Sequence, residues 1–312
     1  MNPRPRALVV LNPAAHGGRS ARRFEAVRGE LSSRFEMALA VVREDGAWIG
    51  DVRAELVRGT CVFIAAGGDG TAHALLNALV DAPGRPPLDA LTLGAVGLGS
   101  SNDLHKPVGT RIDGIPVRLD LAGAAPRDVV RCRYVRDLAP EHACFLVSAS
   151  LGITACANAR FGDDTSLARR LRTISTPLAI AWAAARTAAT WCNIAAELCI
   201  DDGAPERIAL ASLNVLKTEW LSGRLRFGHP VAPDSGDFDI ALAAGISRGR
   251  LIADILALLR GDFDGRRGHR RQRARALDVR LQVETALELD GEIVTARAVH
   301  FDMHPERIRL CA

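Results

Sequence analysis

The strongest chemical signal in this 312-residue chain is a glycine-rich loop that contains one acid. In VFIAAGGDGTAHALLNAL, an apolar strand is predicted to run into Gly67, Gly68, Asp69, Gly70 and Thr71, after which a helix begins. Glycines let backbone N–H groups surround a phosphate, and a helix start adds partial positive charge. Asp69 fits such a site if it orders the loop or faces a magnesium ion. The pattern therefore predicts a nucleotide-binding loop, with a tight structural turn as the alternative.

Two further polar loops follow predicted strands. One runs from Asn12 to Arg19 and contains Gly17 and Gly18, and the other runs from Gly97 to Asp103. Ligands of open α/β sheets bind at the carboxyl ends of parallel strands. The chain has no G-x-x-x-x-G-K-[ST] motif, which excludes the common P-loop. We therefore expect the three loops to form one phosphate site of a different design.

Alternating strands and helices are predicted for the first third of the chain, which must position these loops. Apolar runs predict strands at Leu8–Leu11, Met37–Val42, Cys61–Ala66 and Leu91–Val96. The segments between them favour helices, including Ser20–Phe35, whose apolar residues share one face. This order is typical of a parallel sheet with flanking helices. It predicts an α/β nucleotide-binding domain over residues 1–126.

The pattern changes after Pro126 to one that is typical of a mostly β domain, predicted over residues 127–312. One long helix, Leu167–Thr190, interrupts it. The strands that the sequence predicts there are Asp128–Val135, Cys144–Ser148, Ile194–Ile200 and Ile208–Val215.

Six short motifs together resemble one enzyme family. NPAAHGG, GGDGT and LGSSND occur in this order, followed by SLG from Ser150, PDSGDFD from Pro233 and LDGE from Leu289. They resemble the family that joins bacterial lipid kinases, diacylglycerol kinases and sphingosine kinases, with NAD kinases as fold relatives. The resemblance implies an NAD-kinase-like first domain and a second domain that is an antiparallel β sandwich. It also implies that the second domain completes the active site and the lipid-binding cleft.

The resemblance assigns roles to particular residues. It implies that Asn12, the loop from Gly67 to Thr71, and the segment Ser100, Ser101 and Asn102 bind ATP. Asp290 would be the general base that takes the proton of a lipid hydroxyl during phosphoryl transfer, and Asp69 is a second catalytic candidate. From the residues alone, Asp290-Gly291 favours a hairpin turn, and both interpretations can hold.

The chain departs from the family pattern at several positions, among them Val42-Arg43, which stands where the family has a threonine near the nucleotide. Ala74 stands where the family usually has a glutamate, and Ser235 replaces the first acid of the metal segment. Binding of Mg²⁺ by Asp234, Asp237 and Asp239 is therefore an open prediction. The departures keep two other functions in view, a kinase of a soluble acceptor such as NAD and a nucleotide-binding regulator that has lost catalysis.

Composition limits the location and the partners of the protein. The net charge is +4, and an arginine cluster spans Gly265–Arg275, which favours either a solvated loop or contact with anionic lipid, not nucleic acid. The longest apolar stretch, Pro177–Ala185, is too short to cross a membrane. We predict a cytoplasmic protein that meets its lipid by peripheral contact, and the sequence leaves a homodimer open.

Overall fold

The computed structural model describes residues 4–137, 139–162, 176–223, 225–262 and 266–312. The chain divides into two compact units, Met1–Val129 with His304–Ala312, and Val130–Met303. The sequence analysis assigned all of residues 127–312 to the second domain. The last nine residues lie in the first unit because their strand joins its sheet, where Arg309 and Leu310 pair in parallel with Thr92 and Leu93.

The first unit has the predicted α/β fold. The strands of this unit are β1 (Arg6–Leu11), β2 (Glu36–Val41), β3 (Val62–Gly67), β4 (Thr92–Gly97), β5 (Arg111–Ile112), β6 (Ile115–Arg118), β7 (Ala125–Arg127) and β19 (Ile308–Leu310). Its helices are the short α1 (Ala15–Gly18), α2 (Ser20–Arg34), α3 (Trp48–Val57) and α4 (Asp69–Val80), with 3-10 turns at Leu88–Ala90 and Asp103–His105.

The main sheet of the first unit has the order β2-β1-β3-β4-β19-β7. Strands β1 to β4 and β19 run parallel, so the carboxyl ends of β1, β3 and β4 share one edge. Every residue of β3 is buried, as expected for a central parallel strand. Phe24, Val27 and Leu31 of α2 pack with the sheet in one apolar core. The sheet therefore brings the three predicted loops to one edge.

The second unit is mostly β, as predicted. The strands of this unit are β8 (Val130–Arg136), β9 (Ala139–Phe145), β10 (Ser148–Gly152), β11 (Ile194–Ile200), β12 (Glu206–Leu216), β13 (Trp220–Leu221), β14 (Leu225–Arg226), β15 (Phe238–Ala244), β16 (His269–Ala274), β17 (Ala276–Leu289) and β18 (Glu292–Met303). Its helices are α5 (Ile153–Gly162), α6 (Thr176–Thr190) and α7 (Arg248–Arg260).

Nine strands of this unit form one antiparallel sheet in the order β16-β15-β12-β10-β17-β18-β8-β9, with β11 pairing to both β12 and β17. The long strands β12 and β17 thus pair with β10 over one half and with β11 over the other, and both carry a register shift between the halves. Phe145, Leu213 and Phe301 are among the residues of the apolar core beneath them.

Two predicted elements of the second half differ in the structure. The predicted strand Cys144–Ser148 is wrong, because Leu146 and Val147 separate β9 from β10 and donate their N–H groups to a side chain. The long helix is found at Thr176–Thr190, and the rest of the predicted span, residues 167–175, lies outside the described residues. Within the described ranges, no helix combines the length and apolar character needed to span a bilayer.

Candidate functional site

The GGDGT loop joins β3 to α4 by a turn that requires glycine. Gly68 caps the amino end of α4, which begins at Asp69. A Cβ on Gly67 would lie 2.1 Å from Thr71 Oγ1, so a side chain there would displace the first turn of the helix. The loop is thus compact, and the backbone N–H groups at the helix start are at the carboxyl edge of the sheet.

The loop after β4 packs against the GGDGT loop through two glycines. A Cβ on Gly99 would lie 2.4 Å from Gly68 Cα, and a Cβ on Gly68 would lie 3.3 Å from Gly99 Cα. These are contacts between main chains, which no side-chain rotation can relieve. The GGDGT loop and the loop after β4 therefore lie side by side, as predicted from the order of the strands.

Asp69 orders the loop after β4. Its carboxylate accepts the N–H of Asp103 at 3.0 Å and the N–H of Leu104 at 3.0 Å, at the start of the short 3-10 turn. Two donors stabilise the negative charge that would otherwise repel a bound anion. This is the loop-ordering alternative that the sequence left open, and the catalytic role of Asp69 stays a prediction.

Asn12 connects its own loop, Asn12–Arg19, to the GGDGT loop through a hydrogen bond. Its Nδ2 donates to Thr71 Oγ1 at 3.1 Å, while its Oδ1 accepts the N–H of Ala14 at 3.0 Å. Its backbone N–H donates to Ala66 O at 3.0 Å, which continues the pairing of β1 with β3. The structure therefore joins Asn12 to the GGDGT loop, and its contact with a nucleotide stays a prediction.

Asn102 shapes the third loop from within. Its φ of 51° lies in the left-handed region, which asparagine tolerates better than most residues. Its Oδ1 accepts the N–H of Gly99 at 3.0 Å, and its Nδ2 donates to the carbonyl oxygens of Gly99 and Gly97 at 3.1 and 3.3 Å. Ser100 is exposed and Ser101 half-buried beside it. The loop is thus pre-organised, with its two serines at the surface.

Two arginines lie at or near the loop Asn12–Arg19, a feature that was not predicted from the sequence. Partial burial, Arg23 and Arg19 together hold the pKa of His16 below its ordinary value. Arg23 Nη1 donates to Leu98 O at 3.1 Å and so links α2 to the third loop. Nothing in the sequence singled out Arg23 from the other arginines of α2. These guanidinium groups favour an anionic ligand at this edge.

In the second unit, Asp290 lies in the predicted hairpin turn. Asp290 and Gly291 connect β17 to β18 with φ values of 49° and 93°, the left-handed pair of a tight hairpin. Its buried carboxylate accepts the N–H groups of Leu146, Val147 and Ser148 at 2.9, 2.9 and 3.0 Å. The hairpin prediction is confirmed, and three main-chain donors fix the position of the carboxylate.

A row of buried polar side chains crosses three strands beside this hairpin. Ser150 of β10 pairs with Asn214 of β12 on one side and with Glu288 of β17 on the other. Glu288 accepts the Ser150 hydroxyl at 2.6 Å and the N–H of Gly291 at 2.6 Å, so it supports the turn that carries Asp290. The sequence analysis missed Glu288, although an acid in the apolar run ALELDGE was a signal that could have identified it.

The predicted magnesium ligands do not form a metal site in the structure. Asp237 accepts the Ser235 hydroxyl at 2.6 Å and pairs with Arg273 at 2.7 Å, while Asp239 pairs with Arg271. No group of three or more His, Cys, Asp or Glu side chains with metal-binding geometry exists among the residues that the structure describes. Asp237 and Asp239 are thus matched to arginines and do not fit a divalent cation as they stand, while the role of the exposed Asp234 stays a prediction.

The same contacts correct the prediction for the arginine cluster. Its residues 269–274 form strand β16, which pairs with β15, where a solvated loop was one expectation. Arg266 pairs with Asp254 at 2.9 Å and Arg270 with Glu206 at 2.7 Å, in addition to the two pairs of Arg271 and Arg273. Most of this charge is therefore neutralised within the protein.

Comparison with known proteins finds similarity to a known family in the first unit. Residues 6–130 match the family model of the diacylglycerol kinase catalytic domain. No curated protein sequence matches the chain. A protein of Bacillus anthracis str. Sterne that is assigned as a diacylglycerol kinase has a similar fold, with a TM-score of 0.70, 17% identity and coverage of 98% of this chain and 94% of that one.

Two other solved structures share the fold. A diacylglycerol kinase of the same Bacillus anthracis strain has a TM-score of 0.62 and 16% identity, with 98% of this chain and 96% of that one covered. Yeast NADH kinase, solved with NADH, has a TM-score of 0.52 and 11% identity, with 100% and 84% covered. The NAD-kinase-like fold predicted from the motifs is confirmed.

Proposed function

From the match of residues 6–130 to the family model of the diacylglycerol kinase catalytic domain, we propose that the protein transfers the γ-phosphate of ATP to a hydroxyl of diacylglycerol or a related lipid. The observation that carries the proposal is the assembly of the three loops at one sheet edge, with Gly68 against Gly99 and Asp69 bonded to the third loop. Bare main-chain amides and arginines at this edge suit a polyphosphate.

Phosphoryl transfer depends mostly on alignment and on the stabilisation of charge, with one group oriented to accept the proton of the nucleophile. In the proposal, Asn12 and the segments Gly67–Thr71 and Ser100–Asn102 hold the nucleotide. Asp290 accepts the proton of the lipid hydroxyl as that oxygen attacks the γ-phosphorus. The three N–H groups that hold the carboxylate keep it in one orientation. Magnesium that enters with ATP would supply charge neutralisation on the phosphates.

Contact with a membrane surface is also a proposal, and helix α7 supports it. Leu256 and Leu259 of this helix are 47% and 51% exposed, and Arg248 and Arg260 at its two ends are exposed as well. A helix with exposed leucines beside arginines is suited to the boundary between water and anionic lipid. The protein would then meet its acceptor by peripheral contact.

The acceptor is tested with labelled ATP and a panel of lipid and soluble alcohols. Diacylglycerol, monoacylglycerol, ceramide and sphingosine are presented in mixed micelles, and NAD is presented without detergent. Label in a lipid product supports the proposal. Label in NADP alone assigns the protein to the soluble-acceptor alternative, which its NAD-kinase-like fold keeps open. ATP binding with no transfer to any acceptor assigns it to the regulator alternative, which Ala74 and Ser235 suggest.

A further inference from the structure

Lys217 is a completely buried cation in the second unit. It follows β12 directly, its relative exposure is 0%, and it is one of only two lysines in the chain. An ammonium group is buried at a large cost in solvation unless oxygen atoms surround it. The contacts of this side chain should therefore explain why a lysine is placed there.

The ammonium of Lys217 binds oxygens of a single short segment, residues 232–239. Its Nζ donates to Ala232 O at 2.9 Å, to Asp237 O at 2.6 Å and to Ser235 Oγ at 3.4 Å. Carbonyl and hydroxyl oxygens that converge on one positive charge are the donor set of a hard-cation site. An ammonium has three N–H donors and can therefore bind several oxygens that converge in this way.

This segment is the one in which the motifs predicted a metal. Two of its three acids also have cationic partners, since Arg273 binds Asp237 and Arg271 binds Asp239, while Asp234 is exposed. A divalent ion added here would meet three fixed positive charges. We infer that the ammonium of Lys217 is the built-in cation of the 232–239 segment, which holds its shape with a side chain in the role of a metal ion.

The backbone of Lys217 is hydrogen-bonded to Val147, one of the residues whose N–H groups bind the Asp290 carboxylate. The N–H of Lys217 donates to Val147 O at 2.9 Å, and the N–H of Val147 donates to Asp290 Oδ1 at 2.9 Å. The residue that anchors the 232–239 segment is thus bonded to one of the three amides that hold the Asp290 carboxylate. Since that bond belongs to the backbone of Lys217, the role inferred for its side chain is structural, and removal of the ammonium is expected to affect the folded state.

The first experiment uses the unmodified protein without nucleotide. Thermal unfolding is measured in EDTA, in millimolar MgCl₂ and in millimolar CaCl₂, and Mn²⁺ binding is measured by electron paramagnetic resonance. We expect a Tm that is the same in all three conditions and no stoichiometric Mn²⁺. A Tm that falls in EDTA, together with one bound Mn²⁺ per chain, would overturn the inference, since it would show that a metal holds this unit.

The second experiment changes the cation. Lys217→Met keeps an unbranched apolar stem and removes the ammonium, which leaves buried oxygens without their donor and lowers the Tm by roughly 5 °C. Arg280→Met is the matched control in the same unit, because Arg280 is 80% exposed and its loss changes the Tm by about 1 °C or less. Equal Tm values for the two variants would contradict the inference.

A double variant tests whether the 232–239 segment can bind a metal ion once the ammonium is removed. Lys217→Met with Ser235→Asp replaces the ammonium by space and adds a carboxylate, so Mg²⁺ or Ca²⁺ should now raise the Tm by several degrees through binding to the folded state. No response of the double variant to either ion would count against the 232–239 oxygens as a cation site. If the Lys217 variants do not fold, the measurements in EDTA and with Mn²⁺ decide the question.

Discussion

The contact between Gly68 and Gly99 makes Gly99→Ala the sharpest test of how the loops are built. The new methyl would lie 2.4 Å from Gly68 Cα and 3.0 Å from Asn102 Oδ1, whereas non-bonded carbons prefer about 3.5–4.0 Å. The two loops must therefore separate by about 1 Å. Overpacking of this kind typically costs 1–3 kcal/mol, or about 5- to 150-fold in a binding constant.

The assay is thermal unfolding together with ATP binding by calorimetry. We expect the Tm of Gly99→Ala to fall by roughly 2–12 °C and ATP affinity to fall by about 5- to 150-fold. The matched control is Gly29→Ala, an exposed position inside α2 where a Cβ meets no atom within 4 Å. It should raise stability by up to about 1 kcal/mol and leave ATP affinity unchanged. Identical Tm and affinity in both variants would refute the reasoning.

Two other predictions concern the first unit. Asp69→Asn turns one carboxylate oxygen into an N–H₂ group that faces a backbone N–H. The free energy of unfolding should therefore fall by about 1–3 kcal/mol, and ATP binding should weaken. An unchanged midpoint of denaturant unfolding would contradict this prediction. Burial and Arg118 lower the pKa of His105 from 6.5 to about 3, so the unfolded chain binds the proton more readily and stability falls as pH drops below about 6.5. His105→Gln should remove this contribution. The slope of the unfolding free energy against pH, measured between pH 6.5 and 5, should then be smaller by up to about 1.4 kcal/mol per pH unit. An unchanged slope would contradict the assignment.

The strands that position the loops were predictable because short buried apolar runs between turns indicate β-strands. The predicted strand Ile194–Ile200 has the bounds found in the structure, and strands β1 to β4 lie within two residues of their predicted ends. A buried run of β-branched and aliphatic residues between turns is a local signal. The three loops follow from it, because parallel strands place their carboxyl ends together.

The partners of the polar side chains were not predictable, because they depend on residues far apart in sequence. Asp69 binds main-chain N–H groups 34 and 35 positions later, and no local pattern encodes that distance. The arginine cluster shows the same limit. A run of like charges suggested a solvated loop, but Asp239 on the neighbouring strand β15 and Asp237 just before it neutralise part of this charge and allow a strand.

The role of Asp290 needs a control that separates chemistry from folding. Asp290→Asn leaves at least one of three backbone N–H groups facing an N–H₂ group, which costs about 1–3 kcal/mol of stability by itself. Glu288→Gln is the matched control, because this second buried carboxylate also accepts a backbone N–H of the hairpin, from Gly291. Both variants are compared at a temperature at which each remains folded and binds ATP.

The decisive measurement is the rate of phosphate transfer from labelled ATP to diacylglycerol in mixed micelles by the unmodified protein, Asp290→Asn and Glu288→Gln. The account predicts transfer by the unmodified protein, a loss of about 10²- to 10⁴-fold in Asp290→Asn, and a much smaller loss in Glu288→Gln. Equal rates in the unmodified protein and Asp290→Asn would contradict the assignment of the base. A folded, ATP-bound protein that labels no lipid would contradict the proposed function itself.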